Sequence, residues 1–200
     1  MGLEIARLAE RITSRAVRPV DAGRYAAVSV LLHDDSEIDT ERSSVRGSAT
    51  GGPRVLLMKR SERAGDPWSG HISLPGGGYQ PSDASLLTTA IRETEEELGI
   101  DLSATRFLGN LPPLQPRTSG PHGIEVTPFV FVTDVVVEPQ CGPEALAAFW
   151  LPLELASSGA LDGTYTHSVS QMTFPSWTYD GHVIWGLTWR ILGDVLAASG

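Results

Sequence analysis

The sequence predicts a mixed α/β sandwich, and three features of the chain favour this class. Apolar and β-branched runs typical of strands outnumber the helical segments, a long amphipathic helix lies in mid-chain, and another amphipathic helix ends the sequence. The 200 residues suit a single domain, 1–200, with a core of adequate size.

The strands are predicted from apolar runs between breaks rich in Gly, Pro and Ser. In chain order they are Arg24–Leu32, Arg54–Arg60, a short strand in His71–Gly77 that Pro75 interrupts, "RFLGNLPPL" from Arg106, Ile124–Glu138, "AAFWLPLELA" from Ala147, and the hairpin Ser176–Gly186. Pro128 interrupts Ile124–Glu138, so this strand is expected at a sheet edge or a bulge. Asp180 and Gly181 have the composition of a tight hairpin turn.

Three helices are predicted from apolar residues at helical spacing. They are residues 3–15, within an N-terminal helical extension of residues 1–20, a mid-chain helix over Asp83–Leu98, and the C-terminal segment Gly186–Ser199. Ser82 or Asp83 is expected to cap the mid-chain helix, and Gly99 is suited to end it. The polar stretch 34–52 is rich in Ser, Gly and Asp, which predicts a flexible loop.

Composition excludes some classes of partner. A net charge of −9 without any basic run argues against nucleic-acid binding. No apolar run approaches membrane-spanning length, and the charged N-terminus does not resemble a secretory signal. The lone cysteine, Cys141, fits a reducing compartment, so a cytoplasmic protein is expected.

Four glutamates crowd the end of the mid-chain helix: Glu93, Glu95, Glu96 and Glu97. On a helical wheel, Leu87, Ile91, Thr94 and Leu98 form the arc expected to face the sheet, and three of the glutamates lie on a roughly opposite arc, with Glu95 directed elsewhere. Negative charges at this end oppose the helix dipole by about 0.3–1 kcal/mol each. A divalent cation such as Mg²⁺ would remove the conflict, and a plain acidic surface remains the alternative.

The stretch "LPGGGYQPSDASLLTTAIRETEEELGI" resembles the signature of the Nudix hydrolases. Gly78 matches its start, and Arg92, Glu93, Glu96, Glu97, Gly99 and Ile100 match its end at the same spacing. The sequence departs from the pattern at Ala84, where the first Glu is expected, and at Thr94, where an apolar residue is expected. Asp83, beside Ala84, is a candidate substitute for the first Glu.

The resemblance implies an α/β/α sandwich with a mixed sheet, in which the mid-chain helix is the catalytic one. It also implies hydrolysis of a nucleoside diphosphate linked to another group, with Mg²⁺ or Mn²⁺ as cofactor. The implied metal ligands are Glu93, Glu97, Glu96 and the carbonyl of Gly77. One of these carboxylates, or one supplied by a loop, acts as general base, with Glu96 or Glu93 favoured, and Arg92 holds the carboxylates by ion pairing.

Segments outside the signature resemble the coenzyme A pyrophosphatase branch of this family. They are "LLMKRSERAGDPWSGHISLPGG", "VTPFVFV", "EALAAFWLPL" and "IWGLTWRIL". Arg60 and Arg63 lie where the branch has phosphate-binding arginines, although Gly65 stands where its second arginine is expected. Glu144 matches the acidic residue before the "FW-P" strand, and Ala147 replaces a second acid.

The leading hypothesis is cleavage of coenzyme A or an acyl-CoA into phosphopantetheine and adenosine 3′,5′-bisphosphate. Arg60, Arg63 and Arg117 are the candidate substrate contacts, and Trp68, Trp177 and Trp185 are candidates for stacking an adenine. The alternatives are a nucleotide-pool or ADP-ribose-type pyrophosphatase and a non-catalytic nucleotide-binding module. The expected partner is a small nucleoside diphosphate derivative, and the sequence leaves a homodimer open.

Overall fold

A computed structural model describes residues 4–12, 24–34, 52–63, 68–116, 123–168 and 170–200. The predicted loop 34–52 lies outside these residues except for its ends, Asp34 and Gly52, and so does part of the predicted N-terminal extension. None of the helices in the described part of the chain is both long and apolar enough to cross a membrane.

The described residues form four α-helices and ten strands. The helices are α1 (Ile5–Arg11), α2 (Leu86–Leu98), α3 (Leu153–Ser157) and α4 (Gly186–Ser199). The strands are β1 (Tyr25–His33), β2 (Arg54–Arg60), β3 (Ile72–Ser73), β4 (Gly76–Gly78), β5 (Arg106–Asn110), β6 (Glu125–Thr133), β7 (Ala145–Pro152), β8 (Asp162–Thr166), β9 (Thr173–Tyr179) and β10 (His182–Trp185). The polar strand β8 and the short helix α3 have no clear sequence pattern and were not predicted.

The predicted α/β/α sandwich with a mixed sheet is confirmed. Seven described strands form the main sheet in the order β3-β2-β1-β6-β5, with β4 paired to β1 and β7 to β2. The β1–β6 pair is parallel and the other pairs are antiparallel. Helix α2 covers one face, where Leu86, Ala90 and Leu98 join one apolar cluster. Helices α1 and α4 contribute to the cluster on the opposite face.

A second sheet of three described strands, β10-β9-β8, lies on the α4 side. Its β9–β10 hairpin turns at Asp180 and Gly181, as predicted, and both residues have positive φ (47° and 74°). Two consecutive residues with positive φ are typical of the turn that matches the twist of paired strands.

The main sheet is forked between β1 and β2. These strands pair at one end, through Leu32–Val55 and His33–Arg54. Toward the other end the segment Ile72–Gly78 lies between them, because β3 pairs with β2 and β4 pairs with β1. The glycine-rich part of the chain is therefore the element that joins the two branches.

The prediction that Pro128 places its strand at a sheet edge is wrong. The β5–β6 pair does contain a register shift, between Phe107 and Gly109, but it lies opposite Phe131 and Val130 and not at Pro128. Strand β6 lies inside the sheet, between β1 and β5. The proline nitrogen is directed just beyond the end of β5, toward Leu111. Leu111 N–H donates to the Pro128 carbonyl at 2.9 Å, but Pro128 has no N–H that could donate to the Leu111 carbonyl. The Asn110 side-chain amide donates to the Leu111 carbonyl at 3.1 Å and satisfies that acceptor.

Helix α2 begins later than predicted. Ser85, not Ser82 or Asp83, is the N-cap, and its hydroxyl accepts a hydrogen bond from Thr88 N–H at 3.1 Å. Gly99 ends the helix with φ of 64°, as predicted. The last carbonyls of α2 are bonded by the loop before β7: Gln140 N–H donates to Leu98 O at 2.7 Å and Gly142 N–H to Glu97 O at 2.8 Å.

Replacing Gly142 with Ala is expected to lower the free energy of unfolding by roughly 1–3 kcal/mol, because a Cβ there would collide with the Glu96 backbone carbonyl. The matched control is Gly193→Ala in α4, where a Cβ meets no atom within 4 Å. That control should be stabilising, since alanine favours helix over glycine. Urea unfolding of both variants measures the difference, and equal effects would contradict this account of the loop.

Candidate active site

The glycine-rich strand β4 lies directly against two glutamates of α2. Gly76 N–H donates to Glu97 Oε2 at 2.8 Å. A Cβ built on Gly77 would come within 2.6 Å of the Glu93 carboxylate, so only glycine permits this approach. The forked sheet thus brings a backbone donor and two carboxylates to one place.

The buried face of α2 differs from the predicted one. Leu87 and Ile91 are only partly buried, and the buried arc is rotated so that it includes Glu97, whose exposure is 2%. Glu97 was predicted to lie on the opposite arc, which is wrong. This face meets the sheet through contacts with distant residues: Glu97 Oε2 accepts from Gly76 N–H at 2.8 Å, and the Thr94 hydroxyl lies 2.7 Å from the Ser29 hydroxyl. The buried residues of α2 are Leu86, Thr89, Ala90, Thr94, Glu97 and Leu98.

Thr94 is accommodated in the core by a partner on the sheet. Its hydroxyl lies 2.7 Å from the Ser29 hydroxyl of β1, and it donates to the Ala90 carbonyl at 2.7 Å. This pairing satisfies both polar groups, which explains how a polar residue occupies a position where the signature has an apolar one.

Arg92 is the centre of an ion-pair network. Its Nη1 lies 2.8 Å from Glu93 Oε1 and 3.0 Å from Glu96 Oε2, and its Nη2 donates to the Gly78 carbonyl at 3.3 Å. The guanidinium therefore holds two of the predicted site carboxylates from one side of the helix. The ion pairing predicted for Arg92 is present, and its catalytic role stays a prediction.

Asp83, predicted as a helix cap or as a substitute for the missing Glu, completes this network. Its carboxylate forms a two-pronged ion pair with Arg92, at 2.9 Å to Nε and 3.0 Å to Nη2. It also accepts hydrogen bonds from Gln80 N–H at 3.0 Å and Thr89 Oγ1 at 2.9 Å. The Arg92 hydrogen bond lowers the pKa of Asp83 to about 2. Ala84 is exposed and takes no part.

The glutamates differ in environment. Burial raises the pKa of Glu97 to about 7. The hydrogen bond from Gly76 N–H favours the charged form and opposes this rise. Burial also raises the pKa of Glu93, and the ion pair with Arg92 opposes that rise. Glu95 is exposed, as predicted, and Glu96 keeps 58% of its side chain exposed. The site therefore combines one deeply buried, one partly buried and one solvated carboxylate.

Two of the three predicted substrate arginines lie beside this cluster. Arg60, at the end of β2, is close enough for its charge to lower the pKa of Glu97. Arg63 forms an ion pair of 3.2 Å with Glu144, whose own charge raises the pKa of Glu93 and Glu97. The third, Arg117, lies outside the described residues.

The donor chemistry of the cluster suits Mg²⁺ or Mn²⁺, which prefer oxygen ligands. Glu93 and Glu96 each place one carboxylate oxygen against Arg92, and Glu97 places one against Gly76 N–H. In their present positions, however, no three His, Cys, Asp or Glu side chains among the described residues form a group that could hold a metal ion. The ligand set, including the Gly77 carbonyl, stays a prediction.

The forked sheet, the glycine-rich strand and the carboxylate-bearing helix define a class of protein. A sequence model of the NUDIX domain matches residues 42–169, and the chain belongs to the Nudix family. It is a Nudix hydrolase, an enzyme acting on pyrophosphate bonds.

Among curated relatives, the chain is 36% identical over 145 residues to an uncharacterized Nudix hydrolase, NudL, of Yersinia enterocolitica, covering 70% of this chain and 71% of the relative. Among solved structures, a NUDIX hydrolase from Alicyclobacillus acidocaldarius matches with a TM-score of 0.56 at 20% identity, over 90% of this chain and 93% of that one.

A bifunctional NMN adenylyltransferase/ADP ribose pyrophosphatase from Francisella tularensis, solved with AMP and a Mn ion, matches with a TM-score of 0.54 at 16% identity. The match covers 92% of this chain and 44% of that one. At these identities the two structures support the fold alone.

Glu97→Gln is expected to raise the melting temperature of the metal-free protein at pH 8. Folding raises the pKa of Glu97 from its ordinary 4.5 to about 7, so the wild type loses stability as the pH rises through that interval. The stability gained from the substitution should therefore be absent below about pH 4.5 and complete above about pH 7. Thermal unfolding in EDTA checks this. The control is Glu95→Gln at an exposed position, whose melting temperature should stay close to that of the wild type.

Asp83→Asn is expected to lower the free energy of unfolding at pH 7 by about 2 kcal/mol, because it leaves the Arg92 guanidinium without its buried partner. The carboxylate contributes stability above its ordinary pKa of 3.8, and this contribution falls as the pH drops toward about 2. Urea unfolding at pH 7, 5 and 3 should show a difference between variant and wild type that is nearly constant from pH 7 to pH 5 and smaller at pH 3. A pH-independent difference would rule out the ion pair as its source.

Proposed function

We propose that the protein hydrolyses the diphosphate bond of coenzyme A or an acyl-CoA, giving phosphopantetheine and adenosine 3′,5′-bisphosphate. The observation that supports this most directly is the pair of carboxylates held against Gly76 and Gly77, the buried Glu97 and the partly buried Glu93. An anionic diphosphate approaches such a site only when cations neutralise it. The choice of coenzyme A as the substrate rests on the resemblance to the coenzyme A pyrophosphatase branch.

The cofactor of the proposed reaction is Mg²⁺ or Mn²⁺. The residues that would hold it are Glu93, Glu96 and Glu97, with the carbonyl of Gly77 as a further ligand. When bound, such an ion polarises the phosphoryl group and lowers the pKa of a water molecule. Loss of a single ligand carboxylate in such sites typically reduces metal affinity or activity strongly.

The chain's own residues then have distinct roles. Arg92, fixed by Asp83, orients Glu93 and Glu96, either of which can accept the proton of the attacking water. Arg60 and Arg63 are the proposed phosphate contacts: the charge of Arg60 acts on Glu97, and Arg63 forms an ion pair with Glu144. A guanidinium binds phosphate oxygens through two parallel hydrogen bonds, which aligns the bond to be cleaved.

We further infer a cytoplasmic enzyme formed by one domain over residues 1–200. The lone, exposed Cys141 is compatible with a reducing compartment. The substrate proposed here is an intracellular cofactor, which is consistent with that location.

A substrate panel with Mg²⁺, scored by product identity, tests the proposal. We expect coenzyme A to be cleaved, and we expect Glu93→Gln and Glu97→Gln to lower kcat by at least ~10²-fold because each removes a metal carboxylate. The matched control is Glu95→Gln on the same helix, which should retain activity. Preferred cleavage of ADP-ribose would instead favour an ADP-ribose-type pyrophosphatase. No turnover of any substrate would favour a non-catalytic nucleotide-binding module.

A further inference from the structure

Strand β7 forms an outer edge of the main sheet. It pairs with β2 along its length, from the pair of Arg54 with Pro152 to the pair of Arg60 with Ala145, and with no other described strand. The Leu146 side chain is 59% exposed, and residues 147–150 are partly exposed. An edge strand presents a row of unpaired backbone N–H and C=O groups, with which another strand can pair.

The hydrogen bonds around β7 identify the groups that point away from β2. Leu153 N–H donates to the Pro53 carbonyl at 3.0 Å, so position 153 faces β2. Bonded positions alternate in an antiparallel pair, so positions 151, 149 and 147 face β2 as well. The backbone groups of Ala148 and Trp150 therefore point outward, and no hydrogen bond from another described segment reaches them.

The start of β7 adds a third outward position. Ser61 N–H donates to the Glu144 carbonyl at 2.9 Å, so position 144 also faces the β2 side. The register between the two strands shifts at this end, so residues 145 and 146 both lie between the bonded positions 144 and 147. By the same alternation, the backbone groups of Leu146 point outward with those of Ala148.

The edge of β7 lacks the features by which proteins usually prevent edge strands from pairing. Short edges, charged side chains and bulges serve this purpose. Strand β5, the edge at the other end of the sheet, has five residues, begins with the exposed Arg106 and contains a register shift. Strand β8, an edge of the second sheet, also has five residues and begins with the exposed Asp162. Strand β7 has eight residues and no charged one, and its register shift is confined to its start.

We propose that β7 pairs antiparallel with β7 of a second copy of this chain, so that the main sheets of the two copies join across a two-fold axis. A two-fold interface requires a surface that is complementary to itself. With Ala148 on the axis, Ala148 meets its own counterpart and Leu146 meets Trp150 of the partner subunit. Every outward position of β7 then exchanges hydrogen bonds with another outward position.

The neighbouring registers form fewer hydrogen bonds. An axis at position 149 would place Leu146 opposite Pro152 of the partner subunit, which has no N–H to donate. An axis at position 147 would place Trp150 opposite Glu144 of the partner subunit, whose carbonyl already accepts from Ser61. Ala148 is therefore the axis that the backbone favours.

Side chains and charges fit the same register. The exposed Leu146 packs on Trp150 of the partner subunit, a residue that is itself partly exposed, so apolar surface of both leaves water. The joined strands bring no like charges together, although the chain has a net charge of −9. Glu144 of the partner subunit falls opposite Pro152, in the same row as Arg54, so opposite charges share a row at both ends of the interface.

Sedimentation equilibrium of the full chain tests this interface. We expect the wild type to form a dimer. Ala148→Lys and Ala148→Glu should each raise the dimer dissociation constant at least ~10-fold, because each places two like charges opposite one another on the axis. An equimolar mixture of the two variants should recover a dimer, since Lys then faces Glu. Circular dichroism establishes that each variant is folded.

Leu146→Glu is a second variant, at an exposed position where folding tolerates the change, and it should weaken the dimer by removing the contact with Trp150 of the partner subunit. The matched control is Thr164→Lys, at an exposed position of the β8 edge, which should leave the dimer unchanged. The proposal is overturned if the wild type is monomeric at every concentration or if folded Ala148→Lys and Leu146→Glu dimerise like the wild type. It is also overturned if folded Ala148→Lys and Ala148→Glu stay monomeric when mixed.

Discussion

The structure depends on a steric constraint at the fork of the main sheet. The segment Ile72–Gly78 must pair with β2 and β1 in turn, and at Gly76 and Gly77 the chain has no room for a side chain. Backbone atoms of β1 lie on one side of these glycines, and the Glu93 carboxylate lies on the other. The same two residues therefore lie against the carboxylate cluster and also line a cavity of about 510 Å³.

The acidic end of α2 is tolerated because several donors oppose its charge. Arg92, fixed by Asp83, pairs with two of the carboxylates, and backbone N–H groups of the loop before β7 bond the last carbonyls of the helix. Glu97 is almost completely buried, and among the described residues its side chain accepts one hydrogen bond, from Gly76 N–H. Such a buried carboxylate is unfavourable for stability at neutral pH, which is typical of residues retained for function.

Much of this architecture could be predicted from the sequence, because the relevant patterns are local. The periodicity of α2, the glycine that ends it and the Asp180–Gly181 turn depend on residues close together in the chain. The ion pair between Arg92 and Glu96 is an i, i+4 contact that any helix at this position would place together. The Nudix resemblance is likewise contained in one continuous stretch, so the class of enzyme was accessible without coordinates.

Other features were decided by contacts between residues distant in sequence, which no local pattern encodes. Pro128 lies inside the sheet because its missing N–H falls just past the end of a neighbouring strand. Glu97 is buried because the helix rotates to meet Gly76, 21 residues earlier in the chain. The cavity beside Gly76 and Gly77 is lined by residues from strands and helices far apart in the chain, from Ala26 to Ile191. Periodicity states which residues share a helix face, and only packing against the sheet determines which face is buried.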